Sequence, residues 1–126
     1  MRDEGGQACG AEIQLITITD AAGGVDMVRH VVMWKLKDEA EGASKAENAV
    51  KMARMLEGLV GKIGGLLKLE VGIDSVGAEG AWDVVLVADF ESEEALAAYQ
   101  VHPLHKEVGK FVGAVRAQRA VVDYTV

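Results

Sequence analysis

The sequence predicts an α+β fold with the element order β-α-β-β-α-β. Three observations carry it: four stretches alternate apolar with polar residues, two have apolar residues at helical spacing, and turn-forming residues separate them. The alternating stretches are Val28–Leu36, Leu67–Ile73, Trp82–Phe90 and Arg119–Val126. The helical ones begin after Ser44 and Ser92.

In "VRHVVMWKL", Val28, His30, Val32, Trp34 and Leu36 share one face of a strand, and Arg29, Val31, Met33 and Lys35 share the other. The charge-rich Lys35–Glu47 stretch reads as a solvated loop and helix start. Ser44 and Glu47 spell a capping box. Behind them Ala49, Met52, Ala53, Leu56, Leu59, Val60 and Ile63 recur at helical spacing, and Gly64-Gly65 predicts the helix end. In the second strand Leu67, Leu69, Val71 and Ile73 alternate with Lys68, Glu70, Gly72 and Asp74. After the turn "DSVGAEG", the third strand places Trp82, Val84, Leu86, Ala88 and Phe90 opposite Asp83, Val85, Val87 and Asp89. Ser92 followed by Glu93 and Glu94 is an N-cap with carboxylates favoured by the helix dipole. That helix runs through Leu96 and Tyr99 to His102-Pro103, and a second piece carries Leu104, Val108, Phe111, Val112 and Val115 on one stripe. In the last strand Ala120, Val122, Tyr124 and Val126 share a face.

This order is the split βαβ, or ferredoxin-like, arrangement with a four-stranded antiparallel sheet. Two helices cover one face of such a sheet. The other face is expected to hold Val31, Met33, Val85, Val87 and Val121, ringed by Arg29, Lys35, Asp83, Asp89 and Asp123. An apolar centre with a charged rim is how subunit interfaces are built, so the sequence calls for a second sheet, most simply from an identical chain.

The 126 residues suit one domain, expected at 27–126. Residues 1–26 read as an N-terminal appendage: glycine-containing stretches at Gly5–Gly10 and Ala21–Gly24 flank one strand-like run, Ile13–Thr19, either an added edge strand or a start-site artefact. A net charge of −7 opposes nucleic acid and anionic membrane surfaces. Cys9, the single cysteine, excludes an internal disulfide, offers no zinc pattern and fits a reducing cytoplasm. No apolar run approaches the roughly 20 residues that span a bilayer. Gly61, Gly64 and Gly65 follow a helix rather than opening one, so no phosphate loop and no cofactor is implied.

The stretch "YQVHPLHKEV" at 99–108 holds the residues most suggestive of chemistry. His30 faces the helices from the first strand. Tyr99 and His102 are three apart, and His105 follows one turn later. Should the helix pack over the first strand, His30, Tyr99 and His105 meet at a pocket walled by Val32, Trp34, Val84 and Leu86. Such a trio suits enolisation, in which an imidazole removes a proton and a phenol donates to the developing oxyanion. Each residue also has a plain structural use. His102 before Pro103 forms a helix joint, Tyr99 is a core aromatic, and His30 is a hydrogen-bonded core residue. A metal could draw on His102, His105 and either His30 or Glu107, but His-x-x-His across a proline has poor ligand geometry, and no metal is expected. Trp34 and Trp82 either flank a ligand or fill the core.

Four stretches, "RHVVMWKLKDEA", "GLLKLEVGID", "ADFESEEALAAYQVHPLHKEV" and "VVDYTV", together resemble the stress-responsive dimeric α/β-barrel (Dabb) family over residues 27–126. The resemblance implies a homodimer with its sheets face to face as a barrel and its helices outside. Most bacterial members have no assigned activity. Relatives of the same architecture include plant polyketide cyclases and antibiotic-biosynthesis monooxygenases. The cyclase pattern places its Tyr and second HP-motif His on Tyr99 and His105 and its first-strand His on His30. Its third-strand His position is Val84 here, a departure from that pattern. What the resemblance implies is a protein of unassigned activity with a small-molecule pocket between helices and sheet. The alternative is a cyclase-like or monooxygenase-like enzyme using His/Tyr acid–base chemistry on an apolar carbonyl compound.

Overall fold

Four strands of the computed structural model, which describes residues 26–126, form one antiparallel sheet. They are β1 (Val28–Leu36), β4 (Leu66–Ile73), β5 (Val84–Phe90) and β6 (Arg116–Thr125), in the order β4-β5-β1-β6. A short hairpin, β2 (Glu39–Ala40) and β3 (Ala43–Ser44), precedes helix α1 (Lys45–Glu57). Helices α2 (Glu93–Val101) and α3 (Pro103–Val115) lie between β5 and β6. The architecture is α+β and ferredoxin-like. Cys9 and the expected Ile13–Thr19 strand lie outside the described residues.

Local chemistry sets most boundaries. Ser44 caps α1 through a complete capping box, its hydroxyl accepting from the Glu47 N–H while the Glu47 carboxylate accepts from the Ser44 N–H. Ser92 caps α2 by accepting from the Ala95 N–H. The core joins Val32, Trp34, Leu86 and Phe90 of the sheet to Met52 and Leu56 of α1, Tyr99 of α2, and Val112 and Val115 of α3.

In five places the fold departs from the pattern read along the chain. Lys35–Glu47 contains the β2–β3 hairpin rather than only a solvated loop. Its turn residues Glu41 and Gly42 both have positive φ (53° and 75°), as the commonest two-residue hairpin turn requires. The buried Asn48 amide holds it by donating to the Ala40 and Ala43 carbonyls. Helix α1 stops at Gly58 rather than Gly64, because Leu59 and Ile63 reach the core from a turn that Gly61 and Gly65 open with positive φ. A register shift between Leu66 and Lys68 moves Leu67 out of the apolar alternation, leaving it exposed. Strand β5 starts at Val84, so Trp82 escapes the alternation and is half-buried beneath Lys35 instead of joining Trp34 in the core.

The fifth departure matters most. Strand β6 pairs with β1 so that Val121 lies opposite Val32 and Asp123 opposite His30, both on the helix side. Val121 and Asp123 therefore leave the open face to which the sequence pattern assigned them. Ala120, Val122 and Tyr124 stand there instead, beside Met33, Val31 and Arg29. In a run as uniform as Ala120-Val121-Val122 composition does not set parity, and a shift of one residue flips every side chain. The remainder of the open face is as expected: Val31 pairs with Val87 and Met33 with Val85, while Arg29 makes a two-pronged ion pair with Asp89 (2.7 and 3.1 Å).

Candidate functional site

Between α3 and the β1–β6 half of the sheet lies a cavity of about 280 Å³. His30, Tyr99 and His105 all line it, together with Val32, Trp34 and Leu86. Val84, grouped with these walls on sequence grounds, is buried but lines a separate recess beside Met33 and Trp82.

Three elements deliver the polar groups. Strand β1 presents His30 among apolar neighbours, where it is 4% exposed. Its Nδ1 lies 2.5 Å from Asp123 Oδ1 on β6. A carboxylate on one imidazole nitrogen fixes the ring's orientation and tautomer. Helix α2 contributes Tyr99, 1% exposed, whose ring packs on Phe90 at 4.8 Å and on His105 at 4.3 Å between centroids. His30 meets the Tyr99 ring edge-on at 6.3 Å.

His102 and His105 part at the proline. His102 has extended backbone (φ −65°, ψ 136°), closes α2 by donating its N–H to the Tyr99 carbonyl, and opens α3. Its Nδ1 accepts from the Leu104 N–H at 3.1 Å, with Pro103 in the first turn of α3. His105, one residue beyond Leu104, turns inward onto Tyr99. Its Nδ1 is buried and has no hydrogen-bond partner among the described residues, and the same holds for Trp34 Nε1.

Burial shifts the pair in opposite directions. The Tyr99 phenol is pushed up to about 12 by desolvation, so it stays protonated and able to donate. The His105 imidazole is lowered chiefly by burial, partly offset by the Gln100 carbonyl, which favours protonation, with further lowering from His30, Arg119 and His102. It is therefore neutral near pH 7 and able to accept a proton. Among the described residues no three metal-ligating side chains converge.

Sequence reasoning assigned Asp123 to the rim of the open face rather than to this site, and did not single out Arg116, Arg119, Gly109 or Gly113. Asp123 depends on a pairing 93 residues apart, which no local pattern reveals. The two arginines line the cavity from β6, on strand positions where an apolar residue would face a covering helix. The glycines do leave a visible signal, one turn apart inside an otherwise good helix in "GKFVG".

The four-stranded antiparallel sheet packed against three helices defines the class as α+β proteins of ferredoxin-like fold. The chain belongs to the stress responsive A/B barrel domain (Dabb) family, whose model matches residues 28–126. Among solved structures it is similar to a dimeric protein of unknown function from Bacteroides fragilis, at 32% identity and TM-score 0.67, covering 79% of this chain and 96% of that one. A dimeric ferredoxin-like protein from Thermobifida fusca has 24% identity and TM-score 0.71, with 81% and 92% covered. The hydroxynitrile lyase of Passiflora edulis shares the fold at 19% identity and TM-score 0.65, with 80% and 94% covered. Comparison with curated proteins finds no match. No helix among the described residues is long and apolar enough to cross a membrane.

Proposed function

We propose that this Dabb protein is a homodimer in which each subunit binds a small, largely apolar, carbonyl-bearing compound in the cavity beneath α3. The observation that carries the reading is one hollow of about 280 Å³, near the lower end of ligand-pocket volumes, touched by His30, Tyr99 and His105 together. The dimer reading draws on the open sheet face, where Met33, Val122 and Tyr124 remain exposed, and on similar structures described as dimeric. Cys9 as the single cysteine suits a reducing, cytoplasmic setting.

The alternative, an acid–base enzyme of the cyclase or monooxygenase kind, is favoured by one specific feature, the His30–Asp123 pair beside a neutral imidazole and a protonated phenol. In that reading an imidazole takes the proton from carbon next to a carbonyl. The electron pair moves onto the carbonyl oxygen, and the Tyr99 hydroxyl donates to the resulting enolate. His102 and Pro103 serve the helix joint and take no part.

A thermal-shift screen of apolar ketones and 1,3-diketones tests the binding reading. The expected result is at least one compound that raises the melting temperature of the parent and of His102→Asn, but not of Tyr99→Phe or His105→Ala. A panel that raises none, or raises all four proteins alike, contradicts it.

A further inference from the structure

Arg116 and Arg119 have no part in the acid–base chemistry, yet both line the cavity and both are exposed at its mouth. Among the described residues neither guanidinium has a carboxylate within ion-pair distance; the pairs formed there belong to Arg29, His30, Lys45 and Lys110. The nearby C-terminus of α3 does not need them either. Lys37 Nζ already donates to the Ala114 carbonyl, and the Arg116 backbone N–H to that of Val112. Two unpaired guanidiniums at one opening, in a chain of net charge −7, make a local anion site against the overall field.

Gly109 and Gly113 line the same cavity. Glycine is disfavoured inside a helix and is kept where φ is positive or space is short. Neither reason applies: neither residue has positive φ, and a Cβ added at either would meet nothing within 4 Å. Both glycines are exposed at the cavity's rim, and the same cavity is lined by Trp34, 5% exposed, whose indole N–H has no acceptor among the described residues. An open rim, an unsatisfied donor and two guanidiniums without a carboxylate partner among the described residues fit an anionic ligand.

We infer that the occupant is a small apolar carboxylic acid, with its carboxylate between Arg116 and Arg119 and its body along the Gly109–Gly113 wall of α3. The inference rests on the small-molecule reading of the cavity and names the ligand class. A keto acid held this way places its apolar, carbonyl-bearing part toward Tyr99 and His105.

The test uses the full chain carrying Trp82→Phe, so that Trp34 is the single tryptophan and is excited selectively over the two tyrosines. It is titrated with 4-phenylbutanoate and with its neutral near-isostere 4-phenylbutanamide. The acid is expected to quench Trp34 with an affinity about tenfold above the amide at low salt. Arg116→Gln with Arg119→Gln should bring the acid down to the amide's affinity and leave the amide unchanged. The corresponding Lys pair should keep part of the preference. Gly109→Ala with Gly113→Ala should weaken both probes. Equal affinity for the two probes, or an acid preference that survives the Gln pair, overturns the carboxylate assignment and leaves the small-molecule reading intact. Failure of both probes to quench Trp34 in cooperatively melting protein overturns the assignment and the reading beneath it.

Discussion

On the helix-covered face of the sheet, Val32, His30 and Trp34 are 2%, 4% and 5% exposed, whereas on the opposite face Met33, Tyr124 and Val122 remain 37%, 46% and 62% exposed. Along β1 only the alternation of side chains separates the two sets, whereas β6 at the sheet edge is exposed on both sides, helix-side Val121 at 43%. One face packs against three helices, and the cavity beneath α3 is the one lined by His30, Tyr99 and His105 together. The other is apolar at its centre, bounded by the Arg29–Asp89 pair, and covered by nothing among the described residues of this chain. In the proposed reading the covered face holds the ligand and the open face pairs with a second sheet. The two should respond independently to mutation.

Breaking the open face should have the largest effect. Val85→Asp places a charge at the centre of the proposed interface, opposite Met33, and twofold symmetry brings in two copies at once. Each unpaired buried charge costs about 3 kcal/mol or more, enough to convert the dimer to monomer at micromolar concentration. Light scattering reads the mass, and the cavity's ligand binding should survive. A dimer that persists in Val85→Asp places the interface elsewhere.

The rim of the same face should give a smaller effect. Asp89, 8% exposed, is held well below the usual carboxylate range by its hydrogen bonds to Arg29, and Arg29 is correspondingly raised. Because the folded-state value is depressed, the stabilisation is present above the ordinary carboxylate pKa and is lost as pH falls through the folded one. Asp89→Asn should remove about 1 kcal/mol at neutral pH, after allowance for the solvent-screened Arg29 side, and flatten the acid limb of the denaturation profile. Urea melts at neutral and acid pH measure both.

On the covered face the smallest effect comes from His105. Its imidazole is depressed chiefly by burial, so below the ordinary value of about 6.5 the unfolded chain takes up a proton that the folded chain resists. Stability is therefore complete above that value and declines as pH falls beneath it. His105→Asn should lose this component of the decline while keeping its melting temperature at pH 8 close to the parent's. A parent profile that is flat between pH 8 and pH 5 contradicts it.

How far these two faces could be read from the chain follows the range of the interactions. The capping residues Ser44 and Ser92 act within four residues, and the alternation in β1 is written in nine, so these elements were legible. His102 and His105 were separable because proline acts on its immediate neighbour. What escaped depends on register between distant strands. The side to which Val121 and Asp123 belong is set by hydrogen bonding of β6 to β1, and a helix-side arginine at 119 has meaning only once Trp34 is known to lie opposite it. Trp82 misled because its strand begins two residues later than its alternation suggests. The hollow itself is a negative feature, marked along the sequence only by Gly109 and Gly113.

The central claim is that the hollow under α3 is a ligand site, and the most direct measurement is amide chemical-shift mapping of the uniformly labelled protein during titration with 4-phenylbutanoate. The account predicts saturable shifts concentrated at His30, Trp34, Gly109, Gly113 and Arg119, with β4 and the exposed face of β5 unmoved. Shifts that fail to saturate, or that gather on Val85, Val87 and Val122 of the open face, would contradict it.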